Sequence, residues 1–163
     1  MGKIAVVGYG SFIRNDDALG LKATNILNER FEGVEEVDFF YGFTCVDLLA
    51  EFDNFDRMYI IDSAMLNKNP GEYVRAGIEE IDFANDKAFS HSANFSELMK
   101  LAEGMNFSKP QIVFYMVQPK NMEMGETMDE DVEKGMMNVV DELEKEIGEL
   151  TKTINNKNHS QGS

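Results

Sequence analysis

Short, continuously apolar runs alternate along this chain with stretches of helical period, up to about residue 150. Ile4-Ala5-Val6-Val7 is apolar without a break, the pattern of a strand covered on both faces, and it ends at Gly8-Tyr9-Gly10-Ser11, where a strand meets a loop. From Asp16 the period changes: Leu19, Ala23, Ile26, Leu27 and Phe31 fall on one helical stripe, with Asn15 or Asp16 placed to cap the first-turn N–H groups. Val34 to Tyr41 reads as a second strand and Val46 to Phe52 as a short helix. Met58-Tyr59-Ile60-Ile61 reads as a third buried strand with Asp62 at its carboxyl end.

The second half continues in the same way. Asn69-Pro70-Gly71 is a turn signal, and Tyr73 to Ile81 then alternates with the two-residue period of a more exposed strand, expected to lie antiparallel at an edge. A helix from about Asn94 turns Phe95, Leu98, Met99 and Ala102 inward, and Ile112 to Val117 is another apolar strand, halted at Pro119. A loop from Gln118 to Met128 precedes the clearest helix, in which Val132, Met136, Val139, Val140, Leu143 and Ile147 share one face. The acid run Asp129-Glu130-Asp131 reads as its start signal. Beyond Leu150 the apolar period fades, so Thr151 to Ser163, with His159, is expected to be a frayed or disordered polar tail. This alternation predicts an α/β fold: a three-layer sandwich, with a mostly parallel sheet of about five strands and helices on both faces, in a single domain over residues 1–150. Ligands of such folds sit beyond the carboxyl ends of the central strands.

Composition narrows the possibilities. At 163 residues the chain is one domain, able to bury roughly 70% of its unfolded surface without metal or disulfide staples. With 15 basic and 30 acidic side chains its net charge of −15 repels phosphate backbones and anionic lipid headgroups, which argues against nucleic-acid and membrane partners. The one cysteine, Cys45, allows no internal disulfide and no cysteine-rich metal site, and it begins an amphipathic helix, where packing accounts for it. The chain opens directly into a strand without a signal-peptide pattern and has no apolar run long enough for a membrane span; a cytoplasmic monomer is the expectation.

The strand ends carry the candidate chemistry. Gly8-Tyr9-Gly10 after a strand invites a dinucleotide reading, but position 13 is Ile, and Asp16 and Asp17 stand where the helix would receive phosphate. Acids there suit a cation instead. One of them and Asp62 can meet over the sheet edge, with His91 the imidazole that completes an Asp, Asp, His set of the kind that suits zinc or nickel. Each residue also has a plainer role: the paired acids stabilise a helix N-terminus, Asp62 with Ser63 caps a turn, and His91 within Ser90-His91-Ser92 lies on a surface loop. Among the methionines Met136 reads as core, while Met122 and Met124 sit in the long loop as core filler or adaptable surface.

The ordered motifs resemble those of the hydrogenase maturation proteases. Val6-Val7-Gly8-Tyr9-Gly10-Ser11 followed by Asn15-Asp16-Asp17-Ala18-Leu19-Gly20 is similar to the family opening, Gly-x-Gly-Asn before paired acids and a glycine. Gly42-Phe43-Thr44 resembles its Gly-Gly-Thr loop, Ile60-Ile61-Asp62-Ser63-Ala64 its apolar strand ending in Asp-Ala, and Val117-Gln118-Pro119 its Val/Ile-x-Pro. Pro70-Gly71 and His91, ahead of Asn94-Phe95-Ser96-Glu97-Leu98, are similarly placed. Ser11 and Phe43 depart from the pattern. The resemblance, over residues 3 to about 150, implies an endopeptidase that removes the C-terminal extension of a [NiFe]-hydrogenase large-subunit precursor once nickel is inserted. It assigns the metal contacts to Asp17, the acid three residues before Gly20, to Asp62 and to His91, and implies that Gly8, Gly10, Ser11, Gly42 and Thr44 form loops meeting the precursor. The nickel would be carried by the precursor, with zinc or cadmium able to replace it in vitro. A noncatalytic protein that senses or escorts metal during hydrogenase assembly is the other reading.

Overall fold

The computed structural model describes residues 2–81, 92–108 and 110–162. Strands β1 (Ile4–Gly8), β2 (Val37–Tyr41), β3 (Arg57–Ser63), β4 (Tyr73–Gly77) and β5 (Gln111–Val117) form one sheet in the order β2-β1-β3-β5-β4. All neighbours are parallel except β4, which runs antiparallel to β5 at the edge, as its alternating pattern predicts. The helices are α1 (Leu19–Arg30), α2 (Cys45–Glu51), α3 (Ser92–Gly104) and α4 (Glu130–Ser160).

Alternate strand residues feed two separate cores, because successive side chains of a strand point to opposite faces. Val6, Tyr59, Ile61, Val113 and Tyr115 pack with Leu19, Ala23 and Leu27 of α1 and with Val132, Val139 and Leu143 of α4. Val7, Met58, Ile60, Ile112 and Phe114 pack instead with Leu48 of α2 and with Phe95, Leu98 and Ala102 of α3. The result is the three-layer sandwich expected from the sequence. Because α1 lies on one face and α2 on the other, the direction of winding reverses between β1 and β3, and the crevice at their carboxyl ends is the switch point at which such folds bind ligands.

Glycines let α1 press against that crevice. A Cβ on Gly20 would lie 2.2 Å from the Tyr9 carbonyl oxygen and 2.4 Å from that of Ile61. Both obstacles are backbone atoms, one in β3 and one directly after β1, which cannot swing aside as a side chain can. Gly20→Ala is therefore expected to cost about 3 kcal/mol, at the upper end of the usual range for overpacking, seen as a lower urea midpoint with an unchanged slope.

Four local expectations need correction. The strand expected from Tyr73 to Ile81 stops at Gly77, where a one-turn 3-10 helix (Ile78–Glu80) begins. The second strand begins at Val37, not Val34, because Val34 closes a turn by donating its N–H to the Phe31 carbonyl. Asn15 and Asp16 do not cap α1. They sit in a one-turn 3-10 helix (Asn15–Ala18) that precedes it, and α1 begins without a side-chain cap. Finally, α4 does not end near Leu150: it runs through Thr151 to Ser160, with Thr151 buried and Ile154 packed against the core beside Gly2. Few apolar positions are needed to hold a polar stretch helical when a long preceding helix has already paid the nucleation cost. Asp129, as the acid run implies, caps this helix by accepting the Asp131 N–H.

A polar seam fastens α4 to the sheet. Glu146 accepts hydrogen bonds from Arg75 Nη2 at 2.8 Å and Tyr115 OH at 3.2 Å, and Arg57 lies 3.5 Å away; Glu142 accepts from Tyr73 OH at 2.7 Å. Burial pushes the Tyr59 phenol up to about 12 and Tyr115 higher still, and the Glu142 hydrogen bond pushes Tyr73 to about 12. Since folding raises these values, the stability they contribute is complete below pH 10 and is lost as pH rises through about 12. The urea midpoint is expected to be lower near pH 11.5 than at pH 9, and Tyr73→Phe should flatten part of that decline.

Candidate active site

The loop after β1 folds back over the sheet edge and carries both candidate acids. Gly10, at φ 138°, allows this return: a Cβ there would lie 1.9 Å from the Asp17 carbonyl oxygen, which accepts the Ser11 N–H at 3.2 Å. The loop after β2 joins from the other side. The Gly42 N–H donates to the Gly8 carbonyl at 2.8 Å, and Thr44 starts α2 through a reciprocal capping box with Asp47. Hydrogen bonds from Thr44 hold the Asp47 carboxyl below the usual carboxylate range. Phe43, one of the two departures from the family pattern, packs its ring 4.6 Å from that of Phe40. Gly8, Gly10, Ser11, Gly42 and Thr44 thus gather at the carboxyl ends of β1 and β2.

The two adjacent aspartates have separate tasks. Asp16 is fully buried, and its carboxylate accepts three backbone N–H groups, from Lys120 at 2.8 Å, Asn121 at 2.7 Å and Asp129 at 2.8 Å. It belongs to the long loop that follows β5. Asn15 extends the seam: it accepts from the Thr127 N–H, donates to the Glu123 carbonyl, and its own N–H reaches the Gly125 carbonyl at 2.8 Å. Lys120 and Asp129 close the same loop as an ion pair at 3.1 Å, which raises the lysine pKa and lowers that of the aspartate.

Asp17 is 9% exposed and faces the other way, toward β3. Its Oδ1 accepts the Ser63 hydroxyl at 2.8 Å. The Ser63 N–H in turn donates to Asp62 Oδ1, also at 2.8 Å, and Asp62 is 7% exposed. Two carboxylates from different elements thus converge on the two polar groups of a single serine at the switch point. Met122 Sδ lies 3.9 Å from the same hydroxyl, bringing the loop after β5 to the site. Beneath it Gln118, nearly buried, accepts the Leu66 N–H at 2.6 Å and so shapes the segment after β3. His91 lies outside the described residues; in sequence it directly precedes Ser92, the first residue of α3, on the helix layer that covers Ile60. Among the described residues no group of three ligating side chains is gathered closely enough to hold a metal alone.

In sequence Ser63 reads only as part of a turn cap with Asp62 and Met122 as core filler or adaptable surface; the structure adds the link of the Ser63 hydroxyl to Asp17, the approach of Met122 to that hydroxyl, and the loop-anchoring task of Asp16. Asn15, at φ 45°, and Gly125, where a Cβ would lie 2.3 Å from the Asn15 side-chain oxygen, fit this seam closely.

These features define a three-layer α/β sandwich whose candidate site lies at the carboxyl ends of β1 and β3. The family model described as hydrogenase maturation protease matches residues 22–146, more than half of the 163-residue chain, and the chain belongs to that protease family. The matched span includes Asp62 and His91 and begins after Asp17. No curated protein matches the chain significantly. Among solved structures it is similar to the hydrogenase maturating endopeptidase HybD from E. coli, with TM-score 0.75 and 21% identity over 86% of this chain and 89% of that one. It is also similar to the [NiFe] hydrogenase maturation protease HybD from Thermococcus kodakarensis, with TM-score 0.68 and 26% identity over 88% of this chain and 97% of that one. The HycI maturation protease of Thermococcus kodakarensis KOD1 aligns with TM-score 0.67 and 16% identity over 92% of both chains.

Proposed function

We propose that this protease removes the C-terminal extension of a [NiFe]-hydrogenase large-subunit precursor after nickel insertion, and that Asp17, Asp62 and His91 contact the nickel the precursor carries. The observation that supports this most is the convergence of Asp17 and Asp62 on Ser63 at the switch point of a chain belonging to the family. The donor set fits a divalent cation. Asp17 Oδ1 is committed to Ser63, while its Oδ2 makes no hydrogen bond among the described residues. A cation held there would polarise the scissile carbonyl or lower the pKa of a water. The chain's own share is to orient the precursor and to accept, at a carboxylate oxygen, the proton that the attacking water loses before it passes to the leaving amine.

The surroundings suit a protein substrate. Phe12 and Ile13 in the loop after β1, Met65 after β3 and Met124 in the loop after β5 are each more than half exposed at this end of the sheet. Apolar side chains clustered at one rim mark a docking surface for another chain. No helix among the described residues is long and apolar enough to cross a membrane.

The test is to mix the purified protein with nickel-loaded and metal-free precursor and to weigh the products by mass spectrometry. Only the nickel-loaded form should lose its extension, and zinc or cadmium in the precursor should replace nickel in part. Binding without cleavage of either form would contradict the proposal and favour the escort reading.

A further inference from the structure

Ser63 stands between the two acids, and its geometry says more than proximity. The hydroxyl is nearly buried, so water competes little for it, and it has one proton to give. Two acceptors are in reach: Asp17 Oδ1 at 2.8 Å and the Met122 thioether at 3.9 Å. A carboxylate is much the stronger acceptor, so the proton points at Asp17. The backbone N–H of the same residue holds Asp62 Oδ1 at 2.8 Å. One residue on a rigid central strand therefore fixes one oxygen of each acid.

We propose that Ser63 is a positioning residue: its hydroxyl ties down Asp17 Oδ1 so that Asp17 presents Oδ2 alone, in a fixed orientation relative to Asp62, to a divalent cation. The inference rests on the reading of Asp17 as a metal contact. Ser63→Ala deletes only the link to Asp17, because the N–H that holds Asp62 is backbone and remains. Without the hydroxyl the Asp17 carboxylate is free to rotate, and the ordering it loses must be supplied by the metal on binding. Partners of this kind, one step removed from a metal, typically alter affinity about 10–100-fold.

The experiment follows the side-chain carboxyl carbons of Asp17 and Asp62 by 13C NMR while Zn2+ alone is titrated into the full chain. In the wild type both carbons should shift together, and in Ser63→Ala the midpoint should rise about 10–100-fold with the folded spectrum retained. In an Asp17→Asn background, Ser63→Ala should cause no further change in the Asp62 midpoint, because the hydroxyl then has no carboxylate to orient. An unchanged midpoint in Ser63→Ala overturns the positioning role and leaves the metal contact standing. An Asp17 carbon that ignores Zn2+ up to millimolar concentration in the wild type overturns the metal contact itself, and the positioning role with it. An equal rise in the Asp17→Asn background shows that Ser63 acts through the fold and not through Asp17, and also overturns the inference.

Discussion

Asp17→Asn is expected to lose at least about 100-fold in precursor cleavage, the scale on which removing one charge-stabilising contact at a reacting centre acts, while unfolding within a few degrees of the wild type. The reason is local. Asparagine keeps the shape of the side chain and an oxygen that accepts the Ser63 hydroxyl, so the packing under α1 is preserved. What it removes is the negative charge at the rim of the crevice. Asp62→Asn should behave in the same way, with the Ser63 N–H still satisfied by the amide oxygen. Rates on nickel-loaded precursor, set beside melting curves of the same preparations, check both halves of this expectation. Loss of activity accompanied by a large fall in Tm would mean that the acids serve the fold.

The neighbouring substitution should invert that pattern. Asp16→Ala leaves three backbone N–H groups without their acceptor inside a water-poor loop. At about 1–3 kcal/mol for each unsatisfied donor, partly relieved by water entering the gap, a loss of about 4 kcal/mol is expected. For a chain of this size that corresponds to a fall of roughly 10 °C in Tm. Asp16→Asn should recover only part of it, because one side of an amide is an NH2 group that must face an N–H. The loop from Gln118 to Met128 carries Met122 to the site, so its amide protons in particular should exchange faster in Asp16→Ala. Melting temperature and amide exchange together separate this anchoring role from the chemistry of Asp17, one residue away.

That contrast shows what the sequence does and does not encode legibly. The sheet is readable because its central strands are apolar on both faces: Ile4 to Val7, Met58 to Ile61 and Ile112 to Val117 all lie in the strands expected of them. The edge position of β4 follows from its half-exposed alternation, and the two faces of α4 from its heptad-like stripe. The extension of α4 past Leu150 is not legible, because Thr151 and Ile154 are too few to set a period until Gly2 is known to lie against Ile154. Nor is the division of labour between Asp16 and Asp17. Both are acids at a helix entrance, and only the three-dimensional path of a loop more than a hundred residues away turns one of them into its anchor. The resemblance selects Asp17 by its spacing from Gly20, and the hydrogen bonds independently commit Asp16 to the loop. The Ser63 hydroxyl is silent in sequence for a similar cause: Asp17 stands 46 residues away along the chain and meets it only once β1 and β3 are paired.

The central claim is that Asp17, Asp62 and His91 close around one divalent ion. Its most direct test is a crystal soaked in Cd2+ and measured for anomalous scattering, since Cd2+ gives a strong signal at an oxygen and nitrogen site. The account predicts one strong peak at the carboxyl ends of β1 and β3, within coordinating distance of both carboxylates and of the His91 ring. A peak elsewhere, or a His91 ring lying on a different face from Asp17 and Asp62, would contradict it.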